Sequence, residues 1–150
     1  MCGFAGILTA RGEGPAELAS SVCRMIGPIA HRGPDDRGVW TDADAGIALG
    51  FRRLAILDLS PQGHQPMASP SGRFAAVFNG EVYNFADLRE ELEAYGFGFR
   101  GRSDTEVVLA AFERWGVAAA VERFAGMFAI AVWDSARREV SLVRDRLGKK

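Results

Sequence analysis

The first residues of this sequence, MCGFAGIL, place a cysteine directly after the initiator methionine. If Met1 is removed, as is common before a small residue, Cys2 carries a thiol and a free α-amino group together. A thiol with a reference pKa of about 8.5 and an α-amine with one of about 7.7 to 8.0 can exchange a proton near neutral pH. The nucleophile and the general base of an acyl transfer would then belong to one residue.

An acyl-transfer site also needs hydrogen-bond donors for the oxyanion. The stretch FNGEVYN offers the side-chain amide of Asn79 and the backbone N–H of Gly80 side by side. The same Asn-Gly pair between apolar residues is also a strong signal for a two-residue hairpin turn, and a tight turn would itself expose backbone donors. Cys2 by itself is also no proof of a nucleophile, since a small apolar residue without a chemical role would fit at this position. Only the combination of these residues indicates catalysis.

A substrate with charged ends would need a cation and an anion at fixed places. Arg53 precedes the apolar stretch LAILD, and its guanidinium could bind a carboxylate through two parallel hydrogen bonds, although a solvated charge is the alternative. Asp104 lies in the first turn of a predicted helix, where a carboxylate also complements the helix dipole. His31, in the charged loop HRGPDD, does not by itself make a metal site or a catalytic base.

The pattern of apolar residues predicts the elements that position these groups. Residues 2–8 are typical of a buried strand, and residues 15–29 of a helix with Cys23 on or beside its packed face. Residues 31–38 are predicted as a loop. Further apolar segments follow, separated by Asp, Gly and Pro, and predict a meandering sheet with strands at GVWT, GIALGF, LAILD, RFAAVFN and EVYN.

The second half of the chain alternates helical and strand patterns. Helices are predicted over residues 85–96 and 103–116, with Ser103 and Glu106 in the spacing of a capping box, and a short helix over 117–125. The stretches MFAIAVWD and EVSLVRD, joined by the polar SARR, predict a hairpin. Strands, then helices, then strands again indicate an α+β layered fold with antiparallel sheets.

Composition narrows the function classes. A chain of 150 residues with 48% hydrophobic residues can bury one core, so we expect one domain. A net charge of -1 gives no basic footprint for nucleic acid or an anionic membrane, which leaves small-molecule or protein partners. No basic leader or membrane-length apolar run occurs, so we expect a cytoplasmic protein. Cys2 and Cys23 are expected as free thiols.

Taken together, these residues resemble the glutamine-hydrolysing domain of asparagine synthetases, a class II glutamine amidotransferase. The resemblance runs in order through the whole chain and is more specific than any one of its segments. HRGPDD and GHQPM are similar to asparagine synthetases rather than to phosphosugar or phosphoribosyl amidotransferases. The segments are MCGFAGI, HRGPDDRG, RRLAILDLS, GHQPM, FNGEVYN, SDTEVVL, GMFAIAVWD and RDRLGKK.

The resemblance implies a role for each matching residue. Cys2 matches the nucleophile that attacks the side-chain amide of glutamine, and Asn79 with Gly80 matches the oxyanion hole. Arg53 matches the ligand of the substrate's α-carboxylate, and Asp104 the anchor of its α-ammonium group. The remaining substrate-binding positions are those of the expected strand that lines the pocket, together with one residue after the oxyanion pair: Leu54, Ala55, Ile56, Leu57 and Glu81.

The resemblance also implies the fold and the partners. The expected fold is the four-layer αββα sandwich of N-terminal-nucleophile hydrolases, incomplete at its C-terminus. The ATP-dependent synthetase domain that activates aspartate is expected to be absent, since no Ser-Gly-Gly stretch occurs. ATP and magnesium belong to that domain, so no cofactor or metal is expected in this chain. A homodimer of the full-length protein is compatible with the resemblance. A related amidotransferase with another acceptor, and an inactive glutamine-binding fragment, are the alternatives.

Overall fold

The computed structural model describes residues 2–10, 12–56 and 58–150. Contacts divide them into two compact units. The first unit contains the described residues up to 56 together with 64–66, and the second contains 58–63 and 67–150. Each unit has one antiparallel sheet and α-helix, so the predicted α+β class is confirmed.

The first unit is a three-stranded sheet with one long helix packed on it. Its elements are β1 (Gly3–Leu8), α1 (Pro15–Ile26), β2 (Asp36–Asp42) and β3 (Ile47–Arg53), and the strand order is β1-β3-β2. Both neighbours pair antiparallel with β3, so Gly3 lies opposite Arg52 and Asp36 opposite Arg53. The register places the start of β1, the start of β2 and the end of β3 at the same end of the sheet.

Helix α1 ends at Ile26, three residues earlier than predicted, because Pro28 has no N–H with which to continue the helical hydrogen bonds. Its buried face consists of Leu18, Val22 and Ile26. Cys23 is exposed rather than packed. The predicted loop over residues 31–38 is also wrong at its end, since β2 already begins at Asp36.

The stretch LAILD is not a strand. Strand β3 ends at Arg53, and residues 54–56 and 58 lie in no strand or helix. The physical reason is that the N–H groups of Leu54 and Ala55 donate to the side chains of Cys2 and Asp35, which are distant in the sequence, instead of to a neighbouring strand. An apolar run of this length predicts a strand only when a partner strand accepts its hydrogen bonds.

The second unit is a four-stranded sheet covered by three helices. Its strands are β4 (Met67–Ala68), β5 (Phe74–Val82), β6 (Gly126–Asp134) and β7 (Glu139–Arg144), in the order β4-β5-β6-β7. The helices are α2 (Phe85–Ala94), α3 (Asp104–Trp115) and α4 (Val117–Arg123). The predicted hairpin of β6 and β7 is confirmed, with Ala129 opposite Arg144.

An aromatic core joins α3 to this sheet. Rings of Phe74, Phe112, Phe124 and Phe128 follow one another at centroid distances of 5.9 to 6.1 Å. Each of these side chains is at most 2% exposed. Burial of a phenylalanine contributes about 1.5–3 kcal/mol, so this row anchors the C-terminal part of α3, at Phe112, to the start of β5 at Phe74.

Asn79 and Gly80 do not form a turn. Strand β5 continues through them to Val82 and pairs with β6 along its whole length, with Gly80 opposite Phe128. A Cβ at Gly80 would lie 2.1 Å from the Met127 carbonyl oxygen and 2.6 Å from the Phe128 Cα. The glycine is therefore needed for close approach of two strands rather than for a reversal of the chain. Among the described residues, no helix is long and apolar enough to cross a membrane.

Candidate active site

Cys2 lies immediately before β1 and is half-buried. Its Sγ accepts a hydrogen bond from the Leu54 N–H at 3.3 Å, and the thiol can donate to the Leu54 carbonyl at 3.6 Å. The Nε–H of Arg32 donates to the Cys2 carbonyl oxygen at 3.2 Å. The thiol is thus held by backbone groups that follow β3, and a thiolate would keep the Leu54 N–H as a donor.

Asp35 fixes the segment that contacts the thiol. Its N–H donates to the Arg53 carbonyl oxygen at 3.0 Å, and its Oδ2 accepts from the Ala55 N–H at 2.8 Å. Leu54 lies between these two contacts, so the hydrogen bonds to Asp35 orient the peptide groups on both sides of Leu54. Asp35 lies in HRGPDD, but its role could not be predicted from the sequence, because its partners are backbone groups 18 and 20 residues downstream.

Arg53 is the last residue of β3 and is only 9% exposed. Since Gly3, the first residue of β1, lies opposite Arg52, Arg53 lies next to the end of β1 that follows Cys2. Gly33 permits this arrangement, because a Cβ there would lie 2.4 Å from the Arg52 carbonyl carbon. A buried arginine beside a thiol can orient a carboxylate relative to the nucleophile.

Asn79 and Gly80, the predicted oxyanion pair, lie near the end of β5 in the second unit. Phe78 and Val82 belong to the core beneath the helices, so the alternation of the strand directs Asn79 and Glu81 to the opposite face of the sheet. Both residues are half-buried. The side-chain amide of Asn79 therefore projects from a strand that β6 pairs along its whole length, and such regular backbone can hold a preorganised donor.

Asp104 opens α3 and is 4% exposed. Its Oδ2 accepts a hydrogen bond from the Val82 N–H at 3.0 Å, which ties the helix to the end of β5. The carboxyl group is removed from water, and the negative charge of Glu81 acts on it. Desolvation first, and the charge of Glu81 to a smaller extent, raise the pKa of Asp104 to about 6, against the lowering effect of the Val82 hydrogen bond.

The helix cap differs from the prediction. Ser103 is the N-cap, with its Oγ accepting from the Thr105 N–H, as predicted. Glu106 does not complete a capping box with Ser103. It accepts instead from the N–H groups of Arg100 and Gly101, at 3.2 and 2.7 Å.

The structure therefore brings the predicted residues together as two groups, one in each unit. Cys2, Arg53, Leu54 and Ala55 form the first group, and Asn79, Gly80, Glu81 and Asp104 form the second. Ile56, predicted to line the pocket, is 64% exposed. Leu57 lies outside the described residues. Within 2–10, 12–56 and 58–150, no three or more His, Cys, Asp or Glu side chains cluster so as to hold a metal ion.

Comparison with known proteins identifies relatives of the whole chain. A protein family described as a glutamine amidotransferase domain matches residues 1–150. Asparagine synthetase [glutamine-hydrolyzing] 1 of Bacillus subtilis is 40% identical over 154 residues, covering 100% of this chain and 23% of that protein. Amidase chry2 of Gibberella zeae is 35% identical over 158 residues, again covering 100% of this chain and 23% of the relative. The chain spans about a quarter of the length of the curated relatives that it matches.

A solved structure shows the fold. Glutamine phosphoribosylpyrophosphate amidotransferase of Bacillus subtilis, determined in complex with ADP and GMP, matches 94% of this chain and 36% of its own, with a TM-score of 0.69 and 20% sequence identity. The match shows that this chain shares the fold of that protein, in agreement with the predicted α+β class.

Proposed function

Because this chain belongs to the glutamine amidotransferase domain family, we propose that it hydrolyses glutamine to glutamate and ammonia as the glutaminase part of a glutamine-dependent asparagine synthetase. The ammonia is destined for an activated aspartate. The observation that carries the proposal is the Cys2 thiol, which the Leu54 peptide groups hold at the start of β1 in a chain matched by the family over its full length.

Cys2 is the nucleophile of the proposed reaction. After removal of Met1, the α-amine accepts the thiol proton, and the sulfur attacks the side-chain amide carbon of glutamine. The C–N bond then breaks, ammonia leaves with the proton, and a γ-glutamyl thioester remains on Sγ. Water hydrolyses the thioester, releases glutamate and restores the thiol. The Leu54 N–H keeps the thiolate oriented before the attack.

Asn79 and Gly80 stabilise the negative charge that develops on the amide oxygen. Two donors on a strand paired on β6 need little reorganisation during the reaction, and removal of one such donor typically costs about 10²–10³ in kcat. The pairing of β5 with β6 supports this role, because it holds Asn79 and Gly80 on regular backbone.

Arg53 and Asp104 recognise the two charges on the α-carbon of glutamine. The buried Arg53 binds the α-carboxylate, with Leu54 and Ala55 beside the substrate. The Asp104 carboxylate, with Glu81 near it, binds the α-ammonium. The raised pKa of Asp104 supports this role, because a buried carboxylate near a second acid provides a favourable environment for a cation.

Release of ammonia from glutamine tests the proposal. The purified protein is first weighed intact, since retained Met1 would block the α-amine. Protein that lacks Met1 should release ammonia and glutamate in equal amounts. Absence of ammonia release from such protein would favour the inactive glutamine-binding fragment.

A second candidate is an amidotransferase that delivers ammonia to another acceptor. The similarity to amidase chry2 over the whole chain favours keeping this candidate, since the matched region occurs in proteins with different names. Ammonia-dependent amidation assays of the full-length protein, with aspartate and with other carboxylic acids, separate the two. The proposal includes an ATP- and magnesium-using synthetase domain in the full-length protein, a homodimer and a cytoplasmic location.

A further inference from the structure

The position of Asp104 depends on the backbone that leads into α3. The N–H groups of Arg100 and Gly101 donate to Glu106, as described above, and the N–H of Arg102 donates to Oδ2 of Asp58 at 2.9 Å. Three successive amides before the helix are thus held by two carboxylates. Glu106 belongs to the helix itself, whereas Asp58 comes from 44 residues upstream.

Asp58 is well placed to fix this backbone. It is 9% exposed, and its Oδ1 accepts from the Ser60 N–H at 2.8 Å, so each oxygen has a backbone donor. A Cβ at Gly101 would lie 2.8 Å from Asp58 Oδ2 and 2.9 Å from the Gln62 Cβ. The segment that contains Asp58 is therefore packed directly against the backbone before α3.

A buried carboxylate is costly, and hydrogen bonds to backbone N–H groups offset this cost. The buried Asp58 carboxylate fixes the position of the Arg102 amide. Arg102 lies two residues before Asp104, and because peptide planes are rigid, a displacement of Arg102 also moves Asp104. The attraction between a carboxylate and a small cation falls with distance, so a shift of the Asp104 backbone would weaken binding of the α-ammonium group.

We propose that Asp58 is a positioning residue for substrate recognition: by holding the Arg102 amide, it places the Asp104 carboxylate for the α-ammonium group of glutamine. This inference rests on the proposed function. Asp58 does not touch the substrate itself. It acts through the backbone of residues 100–103.

The test compares Asp58→Asn with the matched control Glu113→Gln. Asparagine keeps the volume of Asp58 but has one acceptor oxygen, so its NH2 group would face one of the two backbone donors. Glu113 lies on α3, about 13 Å along the helix from Asp104. Its carboxylate likewise accepts a backbone hydrogen bond, from the Ser71 N–H. Both substitutions remove one carboxylate charge that is bonded to a loop.

The first measurement is amide hydrogen exchange. Asp58→Asn should accelerate exchange at Gly101, Arg102 and Val82 by about tenfold, whereas Glu113→Gln should accelerate exchange at Ser71 only. Unchanged exchange at these three amides in Asp58→Asn would overturn the positioning role, whatever the enzyme's activity.

The second measurement separates recognition from chemistry. Asp58→Asn should raise KM for glutamine about tenfold with kcat within about twofold, while kcat/KM for 5-amino-5-oxopentanoate, which is glutamine without its α-ammonium, stays unchanged. An equal loss with both substrates would mark Asp58 as merely structural and overturn the inference. If the wild-type protein hydrolyses neither substrate, the proposed function falls and the recognition role falls with it, and the exchange data still decide whether Asp58 holds the loop.

Discussion

The surroundings of Cys2 and of Asp104 are built in different ways. Cys2 is half-buried, and the groups that hold its thiol belong to irregular backbone after β3, fixed in turn by Asp35. Asp104 is almost fully buried at a helix start, and its hydrogen bond goes to the last residue of a central strand. The proposed nucleophile is thus held by a loop, whereas the proposed recognition group is held by regular secondary structure.

This difference indicates which functions tolerate adjustment. A nucleophile must move as the substrate carbon becomes tetrahedral, so loop contacts of 3.3 and 3.6 Å at Sγ are suitable. A group that binds an unreacting charge should stay in place, since its contribution is the same before and during the reaction. Substitution of Cys2 itself should therefore alter kcat, whereas changes that move or neutralise the Asp104 carboxylate should alter KM.

The strongest test on the Cys2 side is Cys2→Ala. We expect ammonia release to fall by more than about 10³-fold with the fold intact, and Cys2→Ser to be nearly as inactive, because a hydroxyl is far less nucleophilic than a thiolate. Cys23→Ala is the control, since that thiol is exposed on α1 and should be dispensable. Retention of more than a few per cent of activity by Cys2→Ala would disprove the nucleophile assignment.

Asn79→Ala tests whether β5 contributes to the chemical step. Loss of one oxyanion donor should lower kcat by about 10² to 10³ with little change in KM. Steady-state kinetics with glutamine measure both constants. A change in KM alone would make Asn79 a ground-state binding residue and remove the proposed division between β5 and Asp104.

Arg53→Lys tests recognition next to the nucleophile. Lysine keeps the charge but cannot form two parallel hydrogen bonds to a carboxylate, so KM for glutamine should rise roughly 10- to 100-fold. Arg52→Lys is the matched control, because the Arg52 Nε–H donates to the Ile26 carbonyl oxygen within the fold. Equal KM values for the two variants would argue that Arg53 is a structural charge.

The smallest expected effect concerns pH. Cys2→Ala should bind glutamine without turnover, and its Kd should rise about tenfold from pH 7 to pH 5, because protonation of Asp104, with its pKa raised to about 6, removes the negative charge that the ammonium needs. Titration calorimetry measures this directly. The double variant that also carries Asp104→Asn should bind weakly at both pH values, and an affinity of Cys2→Ala that is flat across this range would contradict the assignment.

The sequence predicted helices and strands well where residues close together in the chain determine which side chains are buried. Helices α2, α3 and α4 and the hairpin of β6 and β7 fall where expected, because their apolar spacing and their turn or cap residues agree. The N-cap Ser103 is also correct. These features depend on residues close together in the chain.

The errors arise where distant residues decide. The alternative of an Asn-Gly turn does not hold because β6 pairs with β5 through Gly80, and the predicted strand at LAILD was wrong because the side chains of Cys2 and Asp35 accept hydrogen bonds from its amides. Glu106 likewise binds the preceding loop rather than the cap. A sequence shows which residues can donate or accept, but not which distant partner is available.

The contact at Gly80 limits how this region of sequence can vary. Because any Cβ there would lie 2.1 Å from the Met127 carbonyl oxygen, even alanine requires β5 and β6 to separate. A library that randomises position 80 should therefore return only glycine among folded, active clones. The close approach at Gly80 thus confines variation in β5 to positions whose side chains leave the spacing of the two strands intact.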